Sequence, residues 1–307
     1  MSRLVHLLPG DYDKTAFATF APGGGFSIDN ARAMMWFSQL AYEAYPQGQP
    51  ATIQSVGNSW SFANVSRFAT QRVSANATYD SCGIVGERAD AVVVAFAGTD
   101  PGEWQTVATD VTLRPATDTH AGFQAAADAV QDQVRAAIAL TRGGAKPLFF
   151  TGHSLGAAVA ALAAMYALTQ HGNPAAVYVF GMPRAGKEQF RRQYKAALGD
   201  RTFRLVHGLD LVARVPNTAL GYRHVGHLLQ CDSGQKFNAA ALVADLDSDI
   251  PAFDKELVDV ALAGVGELVT HKFLSPEGPG PFGSLFKFIP QPIRDHLQDS
   301  YWTALTP

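Results

Sequence analysis

The stretch Lys146-Pro-Leu-Phe-Phe-Thr-Gly152-His153-Ser154-Leu155-Gly156, followed by Ala157-Ala-Val-Ala-Ala-Leu-Ala-Ala164, reads as strand, tight turn and helix. Leu148, Phe149 and Phe150 form a short apolar run of the buried-strand kind, and the alanine-rich run after Gly156 is a strong helix former. Ser154 then falls on the turn itself. Flanking glycines tolerate a sharp reversal and let neighbouring backbone pass without a Cβ, the mechanical requirement of a G-x-S-x-G nucleophile turn. The pattern alone is weak, arising by chance in roughly one chain of this length in eight. A strand before it and a helix after it give it weight.

Outward from this stretch, 307 residues suffice for one large α/β domain or two small ones, and for a sizeable core. Apolar residues make up 47% and charged residues 17%, an ordinary globular balance with no run long enough to span a bilayer. A net charge of -3 offers no electrostatic case for nucleic acid. Cys82 and Cys231 are too few for a disulfide framework or a zinc site; two buried thiols are expected, with a single bridge left open. Residues 1–10 lack a secretory apolar core, which makes a cytoplasmic location the default, with a signal-independent route or a trimmed leader left open. The sequons at Asn64 and Asn76 then carry no meaning. Oligomeric state is left open.

Taken in order, residues 11–26 are punctuated by Gly and Pro and read as irregular. Ser27 is predicted to cap a helix over 29–45, residues 46–66 read as loop, and strands are predicted at 70–75, 82–87 and 91–96 with a hairpin at Arg88-Ala-Asp90. A long amphipathic helix is expected from His120 to about Leu140, a basic exposed helix at 189–198, and strands at 176–180, 203–206 and 222–229.

Acyl transfer needs donors where the carbonyl oxygen becomes negative. The amides of Leu155 and Thr99, with the Thr99 hydroxyl, are the candidates, since Thr99 follows the strand ending at Phe96. Gly98-Thr99 also reads as a plain strand-ending turn. Asp210 follows the strand at 203–206 and reaches the sheet edge that Thr99 and Ser154 share; Asp245, Asp247 and Asp249 read as surface charge or caps. A base after the acid is asked for, and His224, His227, His271 and His296 qualify. His224 and His227 read as strand residues, and His271 sits late in a helix over 253–274. His296, on a late loop after Pro290-Gln-Pro292, is the choice. His120 reads as a positioning residue.

Five ordered blocks, Val94-Ala-Phe-Ala-Gly98-Thr99, His120-Ala-Gly-Phe123, Gly152-His-Ser-Leu-Gly156, Phe180-Gly-Met-Pro-Arg184-Ala-Gly186 and Asp210-Leu-Val-Ala-Arg-Val-Pro216, resemble the class 3 lipases. Asp295-His296-Leu-Gln-Asp-Ser-Tyr301 supplies the histidine position. The resemblance implies an α/β-hydrolase fold, a mostly parallel central sheet flanked by helices. It implies triacylglycerol hydrolysis without metal or organic cofactor, at a lipid–water interface, with Ser154 as nucleophile, Asp210 as acid, His296 as base, and Thr99 with Leu155 as the oxyanion pair. It also implies a lid over Pro101–Val111 and substrate contacts from Trp104, Val107, Val111 and His153. A short-chain carboxylesterase, a phospholipase A1 and a non-catalytic lipid-binding protein are the alternatives. The chain departs from the family in Ala97, where arginine is usual, and in a long stretch before His296. One domain is expected: a core at 27–231, a helical insertion at 232–292 and a closing segment at 293–307.

Overall fold

The computed structural model describes residues 6–23, 25–46, 48–74, 77–99, 118–141, 146–251, 253 and 290–307. Its strands are β1 (Asn64–Ser74), β2 (Ala77–Glu87), β3 (Val92–Phe96), β4 (Leu148–His153), β5 (Ala176–Phe180), β6 (Gly186–Lys187), β7 (Thr202–His207), β8 (Tyr222–Arg223) and β9 (His227–Cys231). The helices are α1 (Ile28–Leu40), α2 (Pro50–Ser59), α3 (Ala121–Thr141), α4 (Leu155–Gln170), α5 (Glu188–Leu198), α6 (Gln291–Arg294) and α7 (Gln298–Leu305). Seven strands form the main sheet in the order β1-β2-β3-β4-β5-β7-β9. The first two pairings are antiparallel and the other four parallel, while β6 and β8 pair apart.

Period-two alternation sorts the core into two layers. Val93, Ala95, Phe149, Tyr178 and Phe180 face α1, whereas Val92, Val94, Phe96, Phe150 and Val179 face α3 and α4. The alanine run of α4 lets that helix lie close: a Cβ on Gly156 would stand 2.4 Å from the Phe96 carbonyl oxygen. Trp36 of α1 stacks on Trp302 of α7 at 4.8 Å and 10°, so an early and a late helix share one face of the sheet.

Ser27 caps α1 as expected, its hydroxyl accepting from the Asn30 amide at 3.4 Å. Residues 46–66 are not the predicted loop. Pro50 opens α2 at its first turn, where its missing N–H costs nothing, and Thr52, Ile53 and Val56 turn inward. The single strand predicted at 222–229 is two, because Gly226 at φ +78° breaks the run and sends β8 and β9 to different sheets. α5 is basic on one side only, since Phe190, Tyr194 and Leu198 are buried. Of the predicted helical insertion, residues 232–251 hold a short 3₁₀ turn, Ala239–Ala241, and a bridge from Val243 to Leu228 on β9. The helix expected over 253–274, with His271, lies outside the described residues apart from Phe253. Cys82 and Cys231 are both buried.

Candidate active site

Ser154 sits between β4 and α4 with φ +60° and ψ −130°. Such a conformation costs on the order of 1–3 kcal/mol and persists where the surroundings over-determine it. Here the Ser154 amide donates to the Phe180 carbonyl at 3.0 Å, and a Cβ on Gly152 would stand 2.3 Å from the Gly156 carbonyl oxygen. The hydroxyl is thereby held at the C-terminal edge of the parallel strands.

Two further loops meet it there. Asp210 follows β7, and its Oδ1 accepts from the amides of Val212 and Ala213 at 2.8 and 3.2 Å. His296 lies between α6 and α7, its amide on the Ile293 carbonyl at 3.0 Å. His296 Nε2 is 2.9 Å from Ser154 Oγ, and Nδ1 is 2.9 and 2.8 Å from the two Asp210 oxygens. All three side chains are buried. Burial pushes the Asp210 carboxyl up, but His296, the Tyr301 hydroxyl and the Ala213 amide outweigh it and leave it below the usual carboxylate range. An ionised Asp210 fixes the His296 proton on Nδ1 and leaves Nε2 free to accept from the serine.

Thr99 is buried one residue beyond Gly98, where an added Cβ would stand 2.9 Å from Ser154 Cβ and 2.3 Å from the Tyr42 hydroxyl. The Gly98 carbonyl accepts from Tyr45 Oη at 2.7 Å. In a trans peptide the Thr99 N–H points the opposite way. Leu155 opens α4, so its amide is among the donors a helix start leaves without an intrahelical partner.

The rival residues are placed elsewhere. His224 Nε2 donates to the Ala213 carbonyl, 2.7 Å away, and His227 stacks on Phe203. His120 is buried against Phe123. Asp247 is a surface charge as expected, but Asp249 is not: it pairs at 3.0 Å with the fully buried guanidinium of Arg184. His153, expected to touch substrate, is buried beneath the base. Its ring stacks on His296 at 4.6 Å, with Nδ1 3.0 Å from Tyr42 Oη and Nε2 2.8 Å from the His296 carbonyl. Burial, with His296 adding to it, holds the His153 imidazole down to about 3, so it is neutral. Trp104, Val107 and Val111 lie outside the described residues.

Two contributors were not foreseen. Tyr301 Oη lies 2.5 Å from Asp210 Oδ2, and Gly181, at φ +56°, has no room for a side chain because a Cβ would stand 2.6 Å from the same oxygen. Gly181 could have been suspected from its place straight after a strand; nothing local marks Tyr301. Among the described residues no cluster of His, Cys, Asp and Glu suits a metal ion, and no helix is long and apolar enough to cross a membrane.

Residues 93–220 match the family described as Lipase (class 3). A secreted mono- and diacylglycerol lipase 1 from Fusarium solani is 38% identical over 118 residues, 38% of this chain and 34% of that protein. A phospholipase A1-II 5 from Oryza sativa subsp. indica is 33% identical over 116 residues, 35% of this chain and 25% of that protein. The chain thus spans about a third or less of the length of these relatives. The cytoplasmic expectation gains no support from relatives named as secreted. The crystal structure of a mono- and diacylglycerol lipase from Aspergillus oryzae superposes with a TM-score of 0.57 at 20% identity, over 73% of this chain and 87% of that one. Lipase II from Rhizopus niveus gives 0.55 at 20%, over 72% and 86%. With its mostly parallel sheet flanked by helices the fold is that of the α/β-hydrolases, and residues 93–220 carry the likeness to the class 3 lipases.

Proposed function

We propose that the chain is a serine hydrolase that cleaves carboxylic esters of lipids through an acyl-enzyme on Ser154. The observation that carries this reading is the unbroken line from Ser154 Oγ to His296 Nε2, 2.9 Å, and from His296 Nδ1 to Asp210 Oδ2, 2.8 Å, with every member buried. Ser154 Oγ attacks the ester carbonyl while His296 Nε2 takes its proton, and the imidazolium is stabilised by Asp210. The amides of Thr99 and Leu155 receive the oxyanion. His296 then protonates the departing alkoxide, and a water activated by the same nitrogen frees the acid. No step calls on a metal or organic cofactor.

Acylglycerols are the substrate class we infer, supported by relatives named as mono- and diacylglycerol lipases. The rice relative named phospholipase A1 favours a second reading in which the ester belongs to a phospholipid. By the same likeness, residues 27–231 form the core of one domain, and the protein is exported.

The test is Ser154→Ala, expected to lower turnover on the order of 10⁶-fold. Activity within about tenfold of wild type would end the reading. Labelling by a fluorophosphonate separates it from a lipid-binding protein without chemistry. Rates on emulsified acylglycerols, phosphatidylcholine and soluble short-chain esters rank the substrates.

A further inference from the structure

Asp295 directly precedes His296, and its carboxylate is almost wholly buried. A buried carboxylate must be met by donors, and here they come from separate segments. The Leu209 amide donates to Oδ2 at 2.8 Å, Ser233 Oγ to Oδ2 at 2.6 Å, and Gln291 Nε2 to Oδ1 at 2.7 Å. His207 Nδ1 stands 3.3 Å from Oδ1. The other nitrogen of that ring accepts from the Gly234 amide at 3.1 Å, which places the proton of a neutral imidazole on Nδ1, facing the carboxylate. Gly208, at φ +53°, closes the site from behind: a Cβ there would lie 2.3 Å from Asp295 Oδ2. Burial pushes the Asp295 carboxyl up, and these donors more than reverse it.

The tie falls one residue away from each of the reacting partners. Leu209 is bonded to Asp210 and Asp295 to His296, so the bond between Leu209 and Asp295 sets the spacing of acid and base. A second link runs alongside, from the Leu211 amide to the Pro292 carbonyl at 3.1 Å. His207 enters twice, because its backbone amide donates at 3.2 Å to the Tyr301 hydroxyl that touches Asp210. The outer side of His207 and Asp295 lines a cavity of about 310 Å³ bounded by Lys236, Arg294 and Thr303.

We propose that Asp295, with His207, is a positioning residue for the ester hydrolysis proposed above: its carboxylate holds the His296 loop in register with the Asp210 loop, so that the imidazole reaches Ser154. The proposal rests on the serine-hydrolase reading. It assigns Asp295 no contact with substrate.

Asp295→Ala, Asp295→Asn, a Ser233→Ala/Gln291→Ala double variant and Ser154→Ala are compared with wild type. Steady-state hydrolysis of a soluble p-nitrophenyl ester and the rate of fluorophosphonate labelling are the readouts, with circular dichroism to verify folding. Asp295→Ala is expected to lower kcat and the labelling rate together by about 10²-fold with KM within about threefold, as for a misplaced catalytic group. Asp295→Asn keeps an acceptor for the Leu209 amide and should recover to within about tenfold of wild type. Wild-type kcat and labelling in Asp295→Ala, or a raised KM with kcat unchanged, would overturn the proposal. If Asp295→Ala does not fold, the double variant decides: a loss of about tenfold or more supports the role, and none overturns it. Turnover that persists in Ser154→Ala sinks the serine-hydrolase reading and the proposal with it, an outcome distinct from a silent Asp295 variant beside an inactive Ser154→Ala.

Discussion

The Tyr301 hydroxyl donates to Asp210 Oδ2 at 2.5 Å, so a residue of α7 completes the shell of the buried carboxylate. Tyr301→Phe removes this donor and leaves the ring in place. Hydrogen bonds to charged groups contribute roughly 1.5–3 kcal/mol, so kcat/KM for a soluble ester is expected to fall about tenfold. Asp210 is depressed in the folded protein, so its contribution to stability is complete above the unfolded value near 3.8 and is lost as pH falls through the folded value. Tyr301→Phe brings the two values closer. Denaturant titrations at successive pH values should show a smaller loss of stability on acidification below about pH 4 in the variant than in wild type, because less Asp210-linked stability remains to be lost.

His153 gives a second pH dependence with its own window. It is held at about 3 in the folded protein against 6.5 unfolded, so between those values the unfolded chain binds a proton that the folded chain refuses. Stability is complete above 6.5 and declines as pH falls towards 3. The urea midpoint should be lower at about pH 5 than at pH 7.5, and His153→Gln should flatten that slope. An unchanged slope in the variant would remove His153 as its source.

Gly181→Ala tests the floor under the base and the acid. The new Cβ would stand 2.6 Å from Asp210 Oδ2 and 2.8 Å from His296 Nδ1, at a φ of +56° that disfavours any side chain. A displacement of this size is expected to cost about 10²-fold in kcat with little change in KM. Gly172→Ala is the control, since it shares a positive φ but meets no atom within 4 Å. It should keep full activity and lose about 1 kcal/mol of stability.

Arg184 is wholly buried and donates to the carbonyls of Arg214, Pro216 and Ile250 and to Asp249. It thus clamps the loop after Asp210 to the segment at 249–250. Arg184→Met strands a carboxylate and three carbonyls, and such losses run to about 3–5 kcal/mol. Chemical denaturation should show a loss of that size, and a change under about 1 kcal/mol would mean that water replaces the guanidinium without penalty.

What could be read from the sequence was what is local. The strand, turn and helix around Ser154 are dictated by neighbours along the chain: Phe149 and Phe150 before, glycines at 152 and 156, alanines after. The α2 helix was missed because its apolar residues are few and its N-terminal signal is a proline following another loop-like run, Gln47-Gly-Gln49. Gly226 lies inside the run that reads as one strand over 222–229, and its positive φ redirects the chain. Asp249 read as surface charge because its partner, Arg184, is 65 residues away. Tyr301 and Asp295 are harder still: their roles follow from contacts 91 and 86 residues apart, made only once α6 and α7 have docked.

The stack of Trp36 on Trp302 carries a practical consequence for anyone cutting this protein down. The span that matches the family, 93–220, contains the hydroxyl and the acid but neither the imidazole nor Tyr301. Those arrive on a late segment moored to α1, which lies before the span begins. A minimal fragment chosen by likeness alone would therefore keep the recognisable signature and discard the proton acceptor, and trimming α1 would loosen the mooring from the other side.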